Sequence, residues 1–322
     1  MSSAALSTPQ PFAGLAAGEC VLAADIGGTK TTTAWVDCAG RVHGTRTDPS
    51  RALLGPDSVL GVTTGGLRHA FDDAVASGQR PVAIGVGTAG VVDGGIITSA
   101  TDAIIDWVGT DVAGVLGREF GLPTGVLNDV HAHGLGEAVW GAGQGQGSML
   151  LVAVGTGIGG AIITGGEVLT GARAAAGHIG HVSVPEAAGV HCPCGKTGHL
   201  EGLASGTGIH RAYNRHGEKV DSTRDVFARA YDGESLATNV ITDCAFATGR
   251  AIGDLLNVID PDLVVISGGI AETGEIWWDP LRRGVEASAM NLLVDTPVVP
   301  ARLGADAALI GAVHYARSHQ RS

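Results

Sequence analysis

Two imidazoles and two thiolates fall close together in the chain, at His181, Cys192, Cys194 and His199. Nitrogen and sulfur donors in that proportion suit a tetrahedral Zn²⁺ ion, and four protein ligands leave no open position, so such an ion would be structural. His191 is a rival ligand, and free thiols beside surface histidines are the alternative to a metal site. A second candidate is Asp25-Ile-Gly-Gly-Thr-Lys30. It follows one apolar strand and enters another, whereas a Walker loop or a Rossmann turn leads into a helix. Gly27 and Gly28 let a ligand approach the backbone, Thr29 and Lys30 can donate to phosphate, and Asp25 can hold Mg²⁺ through water. An ordinary glycine-rich hairpin is the competing reading. The run Gly155-Thr156-Gly157-Ile158-Gly159-Gly160 repeats the pattern, and two such hairpins facing one cleft would clamp a polyphosphate from both sides. A third candidate, Asp129, stands at a strand-to-helix junction. There a carboxylate either accepts a proton from a bound hydroxyl or caps the helix.

These residues need elements to position them. Cys20–Ala24 and Thr31–Val36 read as strands around the first glycine turn, and Met149–Val154 and Ala161–Thr164 as strands around the second. Two copies of one plan suggest two related lobes. Asp57–Ser77 reads as an amphipathic helix interrupted at Gly65-Gly66, Pro81–Val86 as a buried strand, and Val126-Leu127 as a short strand before a helix from Asp129 to Trp140. Gly171–His199 is rich in Gly, His and Cys and reads as irregular. Helices follow at Leu200–His216, Ser222–Tyr231 and Ser235–Ile259, then the strand Leu263–Ser267, the turn Gly268-Gly269 and a helix over Ala305–Ser318. Mixed β and α order implies an α/β fold.

Composition narrows the class. The 322 residues carry 20 Lys and Arg against 32 Asp and Glu, a net charge of −12, which argues against a nucleic-acid binder. Charged residues make up 16% and hydrophobic ones 44%, a globular balance. Glycine, at 52 residues, is about twice its usual ~7% and lacks a triplet period, as expected of tight turns and backbone-lined sites. No apolar run is long enough for a membrane span, and Met1–Gly18 lacks the basic start and apolar core of a signal peptide, so a cytoplasmic protein with a disordered tail over 1–18 is expected.

The order of Asp25–Lys30, Asn128-Asp129, Gly155–Gly160, Gly177-His-Ile-Gly-His181, Cys192-Pro-Cys-Gly-Lys-Thr-Gly-His-Leu-Glu201 and Ser267-Gly-Gly-Ile270 resembles that of the ROK family of sugar kinases and sugar-sensing repressors. The resemblance spans about residues 20 to 315. It implies a two-lobed actin/hexokinase-like α/β fold, with a small lobe of 19–128 plus 305–322 and a large lobe of 129–304 that carries the zinc loop. It implies that Asp129 is the catalytic base, and that Gly90, Thr101, Asn128, Asp129, His178, His181 and Glu201 contact the sugar. ATP and Mg²⁺ would be held by Asp25, Gly27, Gly28, Thr29, Lys30, Gly155, Thr156, Gly157, Gly159, Gly160, Gly268 and Gly269, and the protein would be a homodimer. The family pattern has a third Cys where this chain has His199, which changes ligand softness but not ligand number.

The family's repressors place a DNA-binding domain ahead of the first glycine motif. Only 24 residues precede Asp25, so the kinase branch is expected. Family glucokinases commonly have Glu where this chain has His178, and Gly-His-Ile-Gly-His resembles the form in bacterial N-acetylmannosamine kinases. An imidazole can donate to the carbonyl of a 2-acetamido group, whereas a carboxylate accepts from a free hydroxyl. The expectation is therefore ATP-dependent phosphorylation of the 6-hydroxyl of N-acetylmannosamine, a step of sialic acid catabolism. The alternatives are glucose, another N-acetylhexosamine, or a non-catalytic sugar sensor.

Overall fold

The computed structural model describes residues 14–101, 103–216 and 218–319. The chain divides into two compact units. The first comprises residues up to Gln144, Thr170–Ala175 and everything from Leu303 onward; the second comprises Gly145–Leu169 and Ala176–Arg302.

The first unit opens with β1 (Glu19–Ile26), β2 (Lys30–Asp37) and β3 (Val42–Pro49), an antiparallel meander. Helix α1 (Pro56–Ala76) leads into β4 (Arg80–Thr88), parallel to β1. The hairpin β5 (Val91–Asp93) and β6 (Ile96–Ser99), helix α2 (Val112–Phe120), strand β7 (Thr124–Asn128) and helix α3 (Asp129–Trp140) follow. The sheet order is β3-β2-β1-β4-β7. In β1, Cys20 to Ala24 are fully buried, as a strand covered by helices on both faces requires.

The second unit repeats the plan. Strands β8 (Ser148–Val154), β9 (Ile158–Thr164) and β10 (Glu167–Val168) form a meander, followed by α4 (Leu200–Ala204), α5 (Gly206–His216), α6 (Thr223–Tyr231), α7 (Ser235–Ile259), β11 (Leu263–Ser267), α8 (Glu275–Ser288) and β12 (Val298–Pro300). Its sheet order, β10-β9-β8-β11-β12, matches the first position for position, with β11 parallel to β8 and β12 parallel to β11. Helix α9 (Asp306–Ser318) returns to the first unit. Among the described residues, no helix is long and apolar enough to cross a membrane.

Four expectations need correction. Helix α1 runs unbroken through Gly65-Gly66, because Gly66 is the small residue that lets the helix lie on β2: a Cβ there would collide with Thr33. The helix expected over Leu200–His216 is two helices, since Ser205 adopts an extended backbone and its Oγ accepts from the Gly208 N–H at 3.1 Å, starting a new helix. Of the tail, residues 1–13 lie outside the described residues, while Gly14–Gly18 are placed and Leu15 is buried against Val21 and Leu309. The boundary after residue 128 moves to Gln144. Helix α3 packs along α9, with Gly136 against Ala307 and Gly311 against Ala132, contacts that admit no Cβ. That close packing keeps α3 in the first unit.

Candidate functional site

In the first unit the parallel register sets Asp25 on β1 beside Gly87 on β4, and Leu127 on β7 beside Gly87 in turn. A Cβ on Gly87 would lie 3.6 Å from Asp129 Cα and 3.7 Å from Asp25 Oδ1, so two aspartates flank one bare strand position. Burial first, and then the charge of Asp129, push the Asp25 carboxyl up to about 7, with Lys30 partly offsetting them. The helix cap at this junction is Asn128. Its Oδ1 accepts from the N–H groups of Val130 (2.9 Å) and His131 (3.1 Å). Its Nδ2 donates to Gly90 O at 3.0 Å and to Asp129 Oδ1 at 2.9 Å. Asn128 thus spends its amide on holding Asp129 and the Gly90 turn in place, and Asp129 stands at the first helical position rather than the cap. Thr101 is exposed near this turn.

The first glycine turn links Ile26 to Lys30, with Gly27 N–H donating to Lys30 O at 3.0 Å. Gly28 packs against Ala103, whose carbonyl would lie 2.7 Å from a Cβ. Ser50, which the sequence reading passed over, braces the turn. Its N–H donates to Thr29 O (3.0 Å) and its Oγ donates to Gly27 O (2.6 Å). No motif marks such a serine, because its role comes from the return of β3 beside β2.

The second turn occupies Gly155–Gly157 and is held from α5. Gly206 N–H donates to Gly155 O at 2.8 Å and Thr207 Oγ1 to Thr156 O at 3.0 Å. A cavity of about 560 Å³ opens beside it, lined by Gly155, Thr156, Thr207, Phe227, Gly269 and Ile270 among others. Its lining also includes His210, Asp221 and Arg224, and an apolar ring with small backbone-lined turns, hydroxyls and a cation suits a nucleoside with its phosphates on the turn. Gly268, at φ +91, packs against Val154 O and turns the chain so that Gly269 faces the cavity. Gly157, Gly159 and Gly160 do not line it. Gly160 is buried within β9, where a Cβ would lie 2.8 Å from Gly177 O, so its smallness serves packing.

The metal loop lies in the same unit. Ligand atoms of His181, Cys192 and His199 all fall within 4.8 Å of one another, and the Cys194 Sγ is 3.2 Å from His199 Nδ1 but outside that convergent set. His191 is also outside it, with an exposed side chain. Burial pushes the Cys192 thiol up to about 11, so its ionisation needs a cation at hand. Burial likewise holds the His181 imidazole below its usual value, toward the neutral form that binds metal. Two imidazoles and a buried thiol converging, with a further thiol at the rim, fit Zn²⁺. Glu201, two residues past His199, accepts from Ile158 N–H through Oε2 at 2.9 Å. His178 is exposed, its ring 6.2 Å from that of His181 and edge-on to it.

Comparison with known proteins adds family context. Residues 21–319 match the ROK family. Glucokinase from Halalkalibacterium halodurans is 33% identical over 310 residues, which is 89% of this chain and 92% of that protein. N-acetylmannosamine kinase from Escherichia coli O157:H7 is 32% identical over 262 residues, 78% of this chain and 84% of that protein. Among solved structures, a ROK hexokinase from Thermus thermophilus superposes with a TM-score of 0.81 at 30% identity, covering 94% of this chain and 99% of its own.

Proposed function

The chain belongs to the ROK family, with its two-lobed actin-like α/β fold, and from that premise we propose that it is an ATP-dependent kinase acting on the 6-hydroxyl of a hexose, with N-acetylmannosamine preferred to glucose. The observation that carries the kinase reading is the pair of aspartates beside Gly87, of which Asp129 follows the cap residue Asn128 and takes both the Asn128 Nδ2 and the Val130 N–H on its Oδ1. Burial and the neighbouring charge of Asp129 push Asp25 toward its protonated form, and a protonated carboxyl is no base. Asp129 accepts the proton of the 6-hydroxyl as its oxygen bonds to the γ-phosphorus and the bond from phosphorus to the ADP oxygen breaks. Asn128 donates to Asp129 Oδ1 and fixes its orientation. Thr29 and Lys30 on the first turn are donors suited to phosphate, and the second unit's own cavity is suited to a nucleoside. A bound Mg²⁺ would neutralise triphosphate charge, and Asp25 is the carboxylate suited to hold it. Zn²⁺ on His181, Cys192 and His199, with Cys194 at the rim, would shape the loop that presents His178, His181 and Glu201 to the sugar.

The substrate rests on His178. Relatives named for glucose and for N-acetylmannosamine match at 33% and 32% identity, so similarity alone does not choose between them. An imidazole donating to an acetamido carbonyl favours the N-acetyl sugar. Coupled ADP-release assays across a sugar panel should give the highest kcat/KM with N-acetylmannosamine. His178→Glu should move its ratio to glucose by about 5- to 150-fold toward glucose, the effect of leaving a polar partner unpaired. A native preference for glucose would make the protein a glucokinase, and sugar binding without turnover on any sugar would make it a sensor.

A further inference from the structure

Helix α4 is short, and its two ends are fastened to different parts of the second unit. At its start, His199 is the N-cap residue and a member of the convergent ligand set. Gly202 packs on the same loop, with His191 O placed 2.6 Å from where a Cβ would be. Just past its end, Gly206 and Thr207 hold the second glycine turn through Gly155 O and Thr156 O. Glu201 spans the distance between. Its Oε1 lies 3.8 Å from Cys192 Sγ, and its Oε2 accepts from Ile158 N–H at 2.9 Å, where the turn becomes β9. Gly157 makes room for this reach: a Cβ there would stand 2.8 Å from Oε2.

We propose that Glu201 is a positioning residue through which the metal loop sets the affinity of the second glycine turn for nucleotide, independently of any sugar. The inference rests on reading the cavity of about 560 Å³ as a nucleotide site. With metal bound, the loop is pinned by its ligands, α4 starts at a fixed place, and the Glu201 carboxylate holds the Ile158 amide, which fixes the backbone of Thr156 and Gly157. With the metal removed, two imidazoles and a buried thiol have no common partner, α4 loses its anchor at His199, and Glu201 loses its seat. The turn is then held from the α5 side alone.

The test is MgADP binding to the full chain by titration calorimetry without sugar, with zinc content measured on each sample. Stripping zinc from the native protein should weaken MgADP about tenfold, the loss of one hydrogen bond to a charged group. Glu201→Ala in zinc-loaded protein should weaken it to the same level and abolish further dependence on zinc. Glu201→Gln keeps an acceptor for the Ile158 N–H and should bind within about threefold of native, while losing sugar turnover if Glu201 also contacts the sugar. Should Glu201→Ala fail to fold, Gly157→Ala displaces the same carboxylate by contact and should reproduce the weakening. If loaded native protein does not bind MgADP, the nucleotide reading of the cavity fails and this inference with it. If MgADP binds equally well to loaded, stripped and Glu201→Ala protein, or if the chain takes up no zinc, the coupling alone is overturned.

Discussion

The first glycine turn and the second sit at the same place on matching five-stranded sheets, yet different chemistry holds them. The first is braced by a short buried hydroxyl, Ser50, and carries Lys30, whose charge acts on the Asp25 carboxyl as that of Asp129 also does. The second has no charged residue in the turn itself; it is held from α5 by backbone and hydroxyl contacts and from the metal loop by Glu201. One scaffold used twice has therefore diverged in its supports. The first unit places two aspartates and Lys30 at its turn, whereas the second puts an uncharged turn on a cavity whose Phe227 and Ile270 are joined by Asp221 and Arg224 away from the turn in sequence. The difference teaches that a glycine turn supplies approach, and that the element behind it decides what the approach is for.

The sharpest way to break this comparison is Asp129→Asn. If proton transfer belongs to the first unit, kcat should fall by about 10²- to 10⁴-fold. Melting temperature should hold, because Asn128 caps α3 and an asparagine at 129 keeps an Oδ1 to accept from the Val130 N–H. Calorimetry should still register MgADP on the second unit. A variant turning over within about threefold of native protein would remove Asp129 from the role.

Asp25 gives the next largest effect, read as stability against pH. Its carboxyl is pushed up to about 7 in the folded protein, above the ~3.9 of an unfolded chain. The folded state thus holds its proton where the unfolded chain has released it. The cost of ionising Asp25 is absent below about pH 4, grows as pH rises toward 7, and is constant above that. Asp25→Asn removes the titration, so the variant should gain on native protein progressively over that window, by on the order of 4 kcal/mol at its upper end. Thermal melts at pH 4, 5.5, 7 and 8 would check it. A gap that does not change with pH would mean that Asp25 ionises normally and that the acid pair is not a pair.

Much of this was legible in the sequence, and the parts that were not share a cause. Both glycine turns, the junction at Asn128-Asp129 and the His181, Cys192 and His199 donors were readable because local spacing carries them. The division of labour at the junction was not. Asp and Asn both favour the cap, and only the folded chain shows Asn128 taking it while also tying Gly90 O. Gly65-Gly66 read as a break because propensity disfavours glycine in a helix, while close approach of Thr33 on β2 requires Gly66 there. Placing α3 in the second lobe failed for a similar reason, since its packing partner α9 lies far away in the chain. Long-range packing leaves no local mark.

In the second turn and the strand that follows it, paired substitutions separate packing from ligand approach. Gly160→Ala should destabilise by about 1–3 kcal/mol, as overpacking does, because Gly177 O and Leu151 O would lie 2.8 and 2.9 Å from the new Cβ. Gly155→Ala meets nothing within 4 Å and should leave the melting temperature in place while weakening MgADP. The reverse outcome, a stable Gly160→Ala with poor nucleotide binding, would return Gly160 to the ligand side of the turn.

Ser50→Ala tests the brace of the first turn and should have the smallest effect. The side chain is fully buried, and its Oγ is shared between Gly27 O at 2.6 Å and Thr31 Oγ1 at 3.1 Å. Truncation leaves that carbonyl without this donor, at a cost of about 1 kcal/mol. The turn itself should persist, because the bonds from Gly27 N–H to Lys30 O and from Ser50 N–H to Thr29 O are backbone bonds that alanine keeps. The expected signature is a modest drop in melting temperature with a raised KM for ATP and little change in kcat, since Lys30 stays on the strand but is held less firmly. The drop should be equal in zinc-loaded and zinc-stripped protein, because the bonds of Ser50 run to Gly27, Thr29 and Thr31 of its own unit. A Ser50→Ala effect that grows when zinc is removed would show that the two turns share a support, and the contrast between them would have to be redrawn.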